Sequence, residues 1–270
     1  MAKTIAEILT KLHQRNQLQK GEQAGSIDQK STEFECPKCR DLEGFIVRLE
    51  DRTEVWRYCE CYEKKMLAKR VERLFKSSQI TEKFRKMTFA NFSLEDRPQL
   101  IHQAFQCAES YLDYYPDIKE ERQNSIALLG QPGSGKTHLL TSIANALLDQ
   151  GVGVIYFPWV EGLNDLKDDF SQKNEKVQQL KEIEVLFIDD LFKGRKTATD
   201  WQKESLFEII NYRYLNHLPV LISSERDIDE ICDEDEGIGS RIYQMSKDFT
   251  VVLKGEENLN YRLSEEQEAV

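Results

Sequence analysis

The sequence lacks a hydrophobic run that could cross a membrane, since none approaches the roughly 18 apolar residues that a bilayer requires. The first 17 residues, MAKTIAEILTKLHQRNQ, also lack the apolar segment of a secretion signal. We therefore expect a soluble, cytoplasmic protein. In that reducing compartment, clustered cysteines indicate metal ligands or redox groups rather than structural disulfides.

Positive charge is also scarce, because 37 Lys and Arg residues face 48 Asp and Glu residues, for a net charge of −11. This balance excludes a uniformly basic surface for nucleic acid, so any such contact must be local. Residues 1–95 nevertheless carry 19 basic against 15 acidic side chains, whereas residues 96–270 carry 18 against 33. A length of 270 residues and this asymmetry predict a main domain and a smaller module with different partners.

The large acidic part alternates predicted helices with apolar strands. The predicted strands are 125–130, 152–159, 185–190 and 219–225, and the predicted helices are 101–115, 136–151, 160–180 and 201–216. Apolar strands separated by helices favour an α/β fold with a parallel sheet flanked by helices on both faces.

Four of the six cysteines are concentrated in 26 positions, as Cys36-x2-Cys39 and Cys59-x-Cys61. Four thiolates complete a closed tetrahedral zinc site, which can hold a module too small for its own core. A redox pair is the alternative, but four clustered cysteines outside a βαβ unit favour zinc. We expect Cys107 and Cys232 to be buried thiols. The four histidines lie outside the module and are more consistent with structural roles (His13, His102, His138 and His217).

The segment GQPGSGKT at 130–137 fits the pattern G-x-x-x-x-G-K-[ST] between a predicted strand and helix. Its glycines allow backbone N–H groups to surround phosphate oxygens at a helix N-terminus. Lys136 is expected to reach the β and γ phosphates of a nucleotide, and the Thr137 hydroxyl to bind magnesium.

Two acids end the apolar strand VLFIDD at 185–190. We expect Asp189 to hold magnesium through water and Asp190 to orient the attacking water. Many ATPases with this phosphate-loop pattern use Glu at this position. Asp190 is shorter, so ATP hydrolysis is expected to be slow. At the end of the next strand, Ser224 or Glu225 could sense the nucleotide, although an ordinary polar strand end is equally consistent with the sequence.

Two arginines and several lysines are further candidates for function. Arg241 could serve the γ-phosphate of a neighbouring subunit, and a surface ion pair is the alternative for Arg241 and for Arg262. Lysines in the charged helix after the second strand, together with KGRK at 193–196, could touch DNA (Lys167, Lys173, Lys176 and Lys181). Acids alternate with these lysines, so a solvated face is the more consistent interpretation, and any single-strand binding should be modest.

Five segments occur here in the order and spacing of the DnaC/DnaI-type loaders of the replicative helicase, which are AAA+ ATPases. They are GQPGSGKTHL, LFIDDLFK, LFEIINYRY, LPVLISSE and IGSRIYQMSKDF, and the resemblance covers about 85–263. The cysteine module followed by a basic helix resembles the amino-terminal part of the phage and Gram-positive members. The resemblance implies an AAA+ P-loop ATPase without a separate lid domain, plus a small N-terminal zinc-binding helical module.

The resemblance also implies partners and site residues. The zinc module would dock on the hexameric helicase, ATP would promote self-association, and the 160–180 helix would touch single-stranded DNA. Arg241 would be the trans-acting finger and Arg262 a sensor-like arginine, whereas Glu225 stands where many loaders carry Asn. The nucleotide-binding set, with Mg²⁺ at Thr137 and Asp189, is expected to be Gly130, Gln131, Pro132, Gly133, Ser134, Gly135, Lys136, Thr137, His138, Glu225 and Arg262.

The predicted domain plan has four parts. Residues 1–33 form an N-terminal helix and linker, 34–64 the zinc module, 65–87 a basic connecting helix and 88–270 the ATPase domain. An IstB-like ATPase that assists a DNA transposase is the alternative function, although it lacks the four-cysteine module by resemblance. Two further alternatives agree less well with the motifs, namely a small-molecule kinase and a binding module without turnover. Within the loader interpretation, the zinc could serve only to stabilise the fold.

Overall fold

A computed structural model describes residues 34–168, 173–194 and 197–263. The chain divides into two compact units, the first ending at Glu63 and the second beginning at Lys64. Within those described ranges, no helix is long and apolar enough to span a membrane. The predicted N-terminal helix and linker at 1–33 lie outside the described residues.

The first unit contains a two-stranded antiparallel sheet between its two cysteine pairs. Strand β1 (Gly44–Arg48) pairs with β2 (Glu54–Tyr58), and a turn closed by a hydrogen bond from Leu49 N to Thr53 O connects them. Valine, isoleucine and aromatic residues make up most of both strands, which agrees with their preference for β-structure. The expectation of a helical module is therefore wrong for this segment, which is a β-hairpin followed by the start of helix α1 (Glu60–Ser77).

The second unit is a five-stranded parallel sheet with the strand order β4-β5-β6-β3-β7. Its strands are β3 (Ile126–Gly130), β4 (Val154–Pro158), β5 (Val185–Leu191), β6 (Val220–Ser224) and β7 (Thr250–Leu253). After α1, the helices are α2 (Glu82–Arg85), α3 (Gln99–Ile118), α4 (Lys136–Asp149), α5 (Trp159–Asp168), α6 (Lys173–Glu182), α7 (Asp200–Leu215), α8 (Ile228–Glu234) and α9 (Glu236–Ser246). Short 3-10 helices lie at Phe89–Asn91, Lys247–Phe249 and Tyr261–Leu263.

Both faces of this sheet are buried, which explains the continuous apolar strands. Ile126 and Leu128 of β3 face a core formed with α3 and α4, whereas Ala127 and Leu129 face a second core formed with α5 to α9. Parallel strands buried on both sides require apolar residues at every position. The predicted α/β fold with a helix-covered parallel sheet is confirmed.

Three elements of the second unit and its first helix differ from the sequence-based expectation. The basic helix begins at Glu60 rather than 65 and ends at Ser77, and α2 follows it as a separate short helix capped by Thr81. The charged 160–180 segment is helical on both sides of residues 169–172, in α5 and α6, and those four residues lie outside the described ranges. Strand β7 was not predicted, because its four residues are too few to give a periodic signal.

Arg213 of α7 has no exposed surface and connects several chain segments at the opposite end of the strands from the phosphate loop. Its guanidinium donates hydrogen bonds to five backbone carbonyl groups, those of Leu180, Lys181, Ile183, Glu184 and Pro219. Burial lowers the pKa of Arg213 to about 9. The side chain satisfies carbonyls that lead into β5 and β6, so it fixes where both strands begin.

We expect Arg213→Leu to lower the free energy of unfolding by more than about 3 kcal/mol, because each buried carbonyl left without a donor costs about 1–3 kcal/mol. Arg73→Leu, on the exposed face of α1, is the matched control and should change stability by less than about 0.5 kcal/mol. Urea denaturation of both variants measures the difference. Equal stability of the two variants would contradict this role.

Candidate nucleotide and metal sites

The phosphate loop lies between β3 and α4 and is attached to the end of the described chain. Gly130 has a φ of 108°, and a Cβ there would lie 2.5 Å from Leu253 O. Gly133 has a φ of 74°, and a Cβ there would overlap the side chain of Asn260. Only glycine tolerates both the left-handed backbone and the close approach. Gln131 N donates to Leu253 O at 2.8 Å, so β7 helps to fix the loop.

Lys136 is buried at the first position of α4, and its ammonium lies within the loop. Its Nζ donates to Gly130 O at 2.8 Å and to Gln131 O at 2.7 Å. Burial lowers the pKa of Lys136 to about 8, although the carboxylates of Asp190 and Glu225 oppose this shift. Its cation is therefore at the place where a phosphate group would meet the loop N–H groups.

Asp189 is the buried acid on which several elements converge. It accepts hydrogen bonds from Thr137 Oγ1 at 2.8 Å and from Tyr156 Oη at 3.0 Å, and a third from the Ser223 hydroxyl. Burial raises the pKa of the Asp189 carboxyl and Asp190 adds to the rise, whereas the three hydrogen bonds oppose it. Carboxylate and hydroxyl oxygens are ligands that Mg²⁺ accepts, so Thr137 and Asp189 fit the ion.

Asp190 lies one residue further along, where β5 departs from regular pairing with β6. Its φ is 56°, and its backbone N–H donates to Ser223 Oγ at 2.7 Å. Its carboxylate accepts from Lys193 Nζ at 2.8 Å, and the same ammonium lies 3.2 Å from Glu225 Oε1. Asp190 is therefore ion-paired while its side chain remains 34% exposed.

The two side chains considered as nucleotide sensors have different surroundings. Ser224 is buried, and its hydroxyl donates to Leu191 O at 2.8 Å, away from the acids. Glu225 lines the cavity with Lys136 and Asp190. The strand-end hydroxyl that reaches Asp189 belongs to Ser223, which the sequence analysis did not single out. Tyr156 was also missed, because in sequence it is one apolar residue of a buried strand.

A cavity of about 1010 Å³ brings most of the predicted nucleotide residues together. Its walls include Pro132, Gly133, Gly135, Lys136, Thr137, His138, Asp189, Asp190, Glu225 and Arg262. Residues that the sequence analysis did not select complete the walls, among them Met87, Phe92 and Arg97. This volume lies at the upper limit of the range of small-molecule sites, about 300–1,000 Å³.

His138 holds the segment before α3 against the start of α4. Its Nε2 lies 3.0 Å from Thr88 O and 3.1 Å from Asn91 Oδ1, so Nε2 carries the proton and donates to both acceptors. Phe92 packs edge-on against the imidazole, with ring centroids 5.1 Å apart. These contacts give His138 a structural role on the cavity wall.

Arg262 and Arg241 occupy different places. Arg262 lies on the cavity wall beside Tyr261, whose backbone N–H donates to Gly133 O at 3.0 Å. Arg241, on α9, is not among the cavity residues of the described chain. It donates to Asn211 Oδ1 at 3.1 Å and to Gly237 O at 2.7 Å.

The first unit brings the four predicted zinc ligands together. The Sγ atoms of Cys36, Cys39, Cys59 and Cys61 all lie within 4.8 Å of one another. The Cys36–Cys59 and Cys39–Cys61 pairs are 3.8 and 3.3 Å apart. A tetrahedral zinc ion with 2.3 Å bonds places its sulfur ligands about 3.8 Å apart, so the cluster fits zinc.

The thiols of this cluster differ in acidity. The backbone N–H of Cys39 lowers the pKa of Cys36 to about 7, whereas the hydrogen bond with Cys39 raises that of Cys61. Zinc binds thiolates, so binding must displace protons and should weaken as the pH falls. Cys107 and Cys232 lie in the second unit and are half-buried rather than buried, and burial raises the pKa of Cys107 to about 11.

The parallel sheet, the phosphate loop after β3 and the acids at the end of β5 together define the fold of the AAA+ P-loop proteins. The model of the family "IstB-like ATP binding protein" matches residues 64–234, and the chain belongs to this family.

Three comparisons describe its relatives. The phage-like element PBSX protein XkdC of Bacillus subtilis (strain 168) is 46% identical over 266 residues, which are 97% of each chain. The replicative helicase loader DnaI of the same strain is 28% identical over 199 residues, or 70% of this chain and 61% of DnaI. The crystal structure of the DnaC helicase loader superposes with a TM-score of 0.55 at 22% identity, over 64% of this chain and all of that one. The resemblance to DnaC/DnaI-type proteins is confirmed.

We expect the wild-type protein to contain one zinc ion per chain and Cys59→Ser to contain almost none, because a closed structural site uses all four thiolates. Elemental analysis after gel filtration measures the metal. Cys107→Ser, which changes a thiol outside the cluster, should keep its zinc. A wild type without zinc, or zinc retained by Cys59→Ser, would contradict the assignment.

Lys136→Ala should weaken ATP binding at least about 30-fold, because loss of a buried charge that meets a phosphate costs about 2–5 kcal/mol. Calorimetric titration with MgATP measures the affinity. Lys247→Ala removes an exposed lysine from a 3-10 helix and should bind as the wild type does. Tight ATP binding by Lys136→Ala would remove the phosphate-loop assignment.

Proposed function

We propose that this protein is an ATP-dependent loader that binds a hexameric replicative DNA helicase and helps to place it on single-stranded DNA during replication initiation. The observation that carries the proposal is the 28% identity to the replicative helicase loader DnaI over 199 residues. The family match, which begins at residue 64 and ends at 234, includes the phosphate loop and both acids of β5.

In this proposal the cavity binds and hydrolyses ATP. Lys136 and the loop N–H groups hold the phosphates, and Thr137 and Asp189 hold Mg²⁺, which neutralises charge on the phosphate oxygens. Asp190 orients the attacking water. Because Asp190 is shorter than the Glu that many P-loop ATPases use at this position, ATP hydrolysis by the isolated protein should be slow.

Self-association would supply the remaining catalytic group. Arg241 lies outside the described cavity, and hydrogen bonds to Asn211 and Gly237 fix its guanidinium. The rings of Phe207 and Tyr214 lie about 5 Å from the guanidinium carbon. A positioned arginine outside its own cavity can act on the γ-phosphate held by a neighbouring subunit. ATP would thus both promote assembly and be consumed within it.

The zinc unit is proposed to dock on the helicase. Within the described part of this unit, residues 34–63, five large apolar side chains are exposed, namely Leu42, Phe45, Ile46, Leu49 and Tyr58. Exposed apolar groups on a small metal-held unit favour a protein-binding surface. If zinc only stabilises the unit, its removal would unfold the unit without identifying a partner, so complex formation must be measured directly.

Single-stranded DNA is a weaker proposed partner. Lys173 lies over the Trp201 ring, and Lys181 pairs with Glu208 at 3.0 Å. Lys193, the first residue of KGRK, is paired inside the cavity. These three lysines therefore have partners within the protein, so among the described candidates contact with DNA rests on Lys167 and Lys176, whereas Arg195 and Lys196 of KGRK lie outside the described residues.

A second function, assistance to a DNA transposase, is favoured by the family description "IstB-like ATP binding protein". The cysteine unit favours the loader, because the transposase assistants lack such a module by resemblance. The client protein that forms a complex distinguishes the two functions.

We expect a complex heavier than the helicase hexamer when the protein is mixed with the replicative helicase of the same genome in ATP. Light scattering after size-exclusion chromatography measures the mass. Cys59→Ser should lose the complex, whereas Cys107→Ser should retain it. Absence of a complex in both ATP and ADP would contradict the loader and favour the transposase partner.

A further inference from the structure

Lys193 lies on the cavity wall, 41% exposed, between two acids that end neighbouring strands. Its Nζ lies 2.8 Å from Asp190 Oδ2 and 3.2 Å from Glu225 Oε1. The turn after β5 produces this position, because Asp190 and Phe192 both have positive φ, and Lys193 N donates to Asp190 O at 3.0 Å. The side chain is thereby folded back over the strand ends, although a basic KGRK run suggests an outward-facing surface.

The charges around the cavity leave Lys193 as the counter-ion of the acids. The cavity walls carry four acids and five bases, and Lys193 is the base that is ion-paired with both Asp190 and Glu225 (acids Glu161, Asp189, Asp190 and Glu225; bases Lys83, Arg97, Lys136, Lys193 and Arg262). Although partial burial opposes it, the ion pairs raise the pKa of Lys193 and keep it protonated. Asp190 and Glu225 alone would repel the terminal phosphate of ATP, and the charge of Lys193 offsets part of that repulsion.

We propose that Lys193 recognises the terminal phosphate of ATP, exchanging its pairs with Asp190 and Glu225 for that phosphate and releasing the Asp190 carboxylate toward the attacking water. This inference rests on the proposed ATPase function. With ADP, Lys193 stays between the two acids. The ion-pair triad of Asp190, Lys193 and Glu225 would then distinguish ATP from ADP. Glu225 of this triad stands where many helicase loaders carry the neutral residue Asn.

A purely structural role makes a different prediction. If Lys193 only fixed the turn, removing the charge of Lys193 and removing the charge of Glu225 would change the preference for ATP over ADP in the same direction. Under the proposal the two losses act oppositely. Without Lys193 the acids repel the terminal phosphate, whereas without the Glu225 charge Lys193 has one fewer competitor.

The test is equilibrium binding of ADP and of a non-hydrolysable ATP analogue, both with Mg²⁺, measured by calorimetry. Lys193→Gln should lose about tenfold of the preference for the analogue over ADP, as removal of one charge-assisted contact predicts. Its ADP affinity should change less than about threefold. Glu225→Gln should increase the preference, and Lys193→Arg should preserve it.

Lys254 offers a matched control, since it also bridges two acids, Asp227 and Glu230, outside the described cavity walls. Lys254→Gln should leave both affinities unchanged. An unchanged preference in Lys193→Gln, an equal loss of ADP and analogue binding, or a lower preference in Glu225→Gln would overturn the inference.

The wild-type titrations separate this inference from the proposed function. A wild type that binds neither nucleotide would overturn both. A wild type that binds the analogue and ADP equally would overturn the role of Lys193 and leave nucleotide binding intact. A wild type that prefers the analogue while Lys193→Gln keeps that preference would overturn only the inference.

Discussion

The buried carboxylate of Asp189 is the constraint on which the rest of the site depends. It stands at the end of β5 and receives hydroxyl hydrogen bonds from Thr137 on α4, Tyr156 on β4 and Ser223 on β6. A buried acid is tolerated only when its oxygens are satisfied, so these elements must keep their relative positions. The same arrangement places the two proposed Mg²⁺ ligands, Thr137 and Asp189, in direct contact.

Around this centre, the charged side chains have partners within the protein. Lys136 is turned into the phosphate loop, and Lys193 bridges Asp190 and Glu225. The loop is in turn held by backbone contacts with β7, which follows the helix that carries Arg241. A nucleotide that rearranges these pairs would therefore act on elements directly connected to the proposed subunit contact, which is how a phosphate can control assembly.

The sequence predicts those parts of the molecule that have a local pattern. Apolar runs give four of the five strands of the sheet, and the glycine and lysine spacing gives the phosphate loop. The hairpin between the cysteines was not predicted, because the segment was interpreted only as a zinc-binding module. Its strands are five residues each, which is short for a periodic pattern. Ser223 was not predicted as a site residue because its partner Asp189 lies on another strand. Lys193 was assigned to a DNA-contacting segment because its partner Asp190 lies across an irregular turn. Such contacts depend on strand order and register, which no short segment encodes.

The most direct test of this account is the Mg²⁺ dependence of ATP binding in the wild type and in Asp189→Asn. The substitution keeps the shape of the side chain and removes its charge. The account predicts that Mg²⁺ strengthens wild-type binding at least about tenfold and that this advantage falls below about threefold in the variant. An undiminished Mg²⁺ advantage in Asp189→Asn would contradict the central place given to this carboxylate.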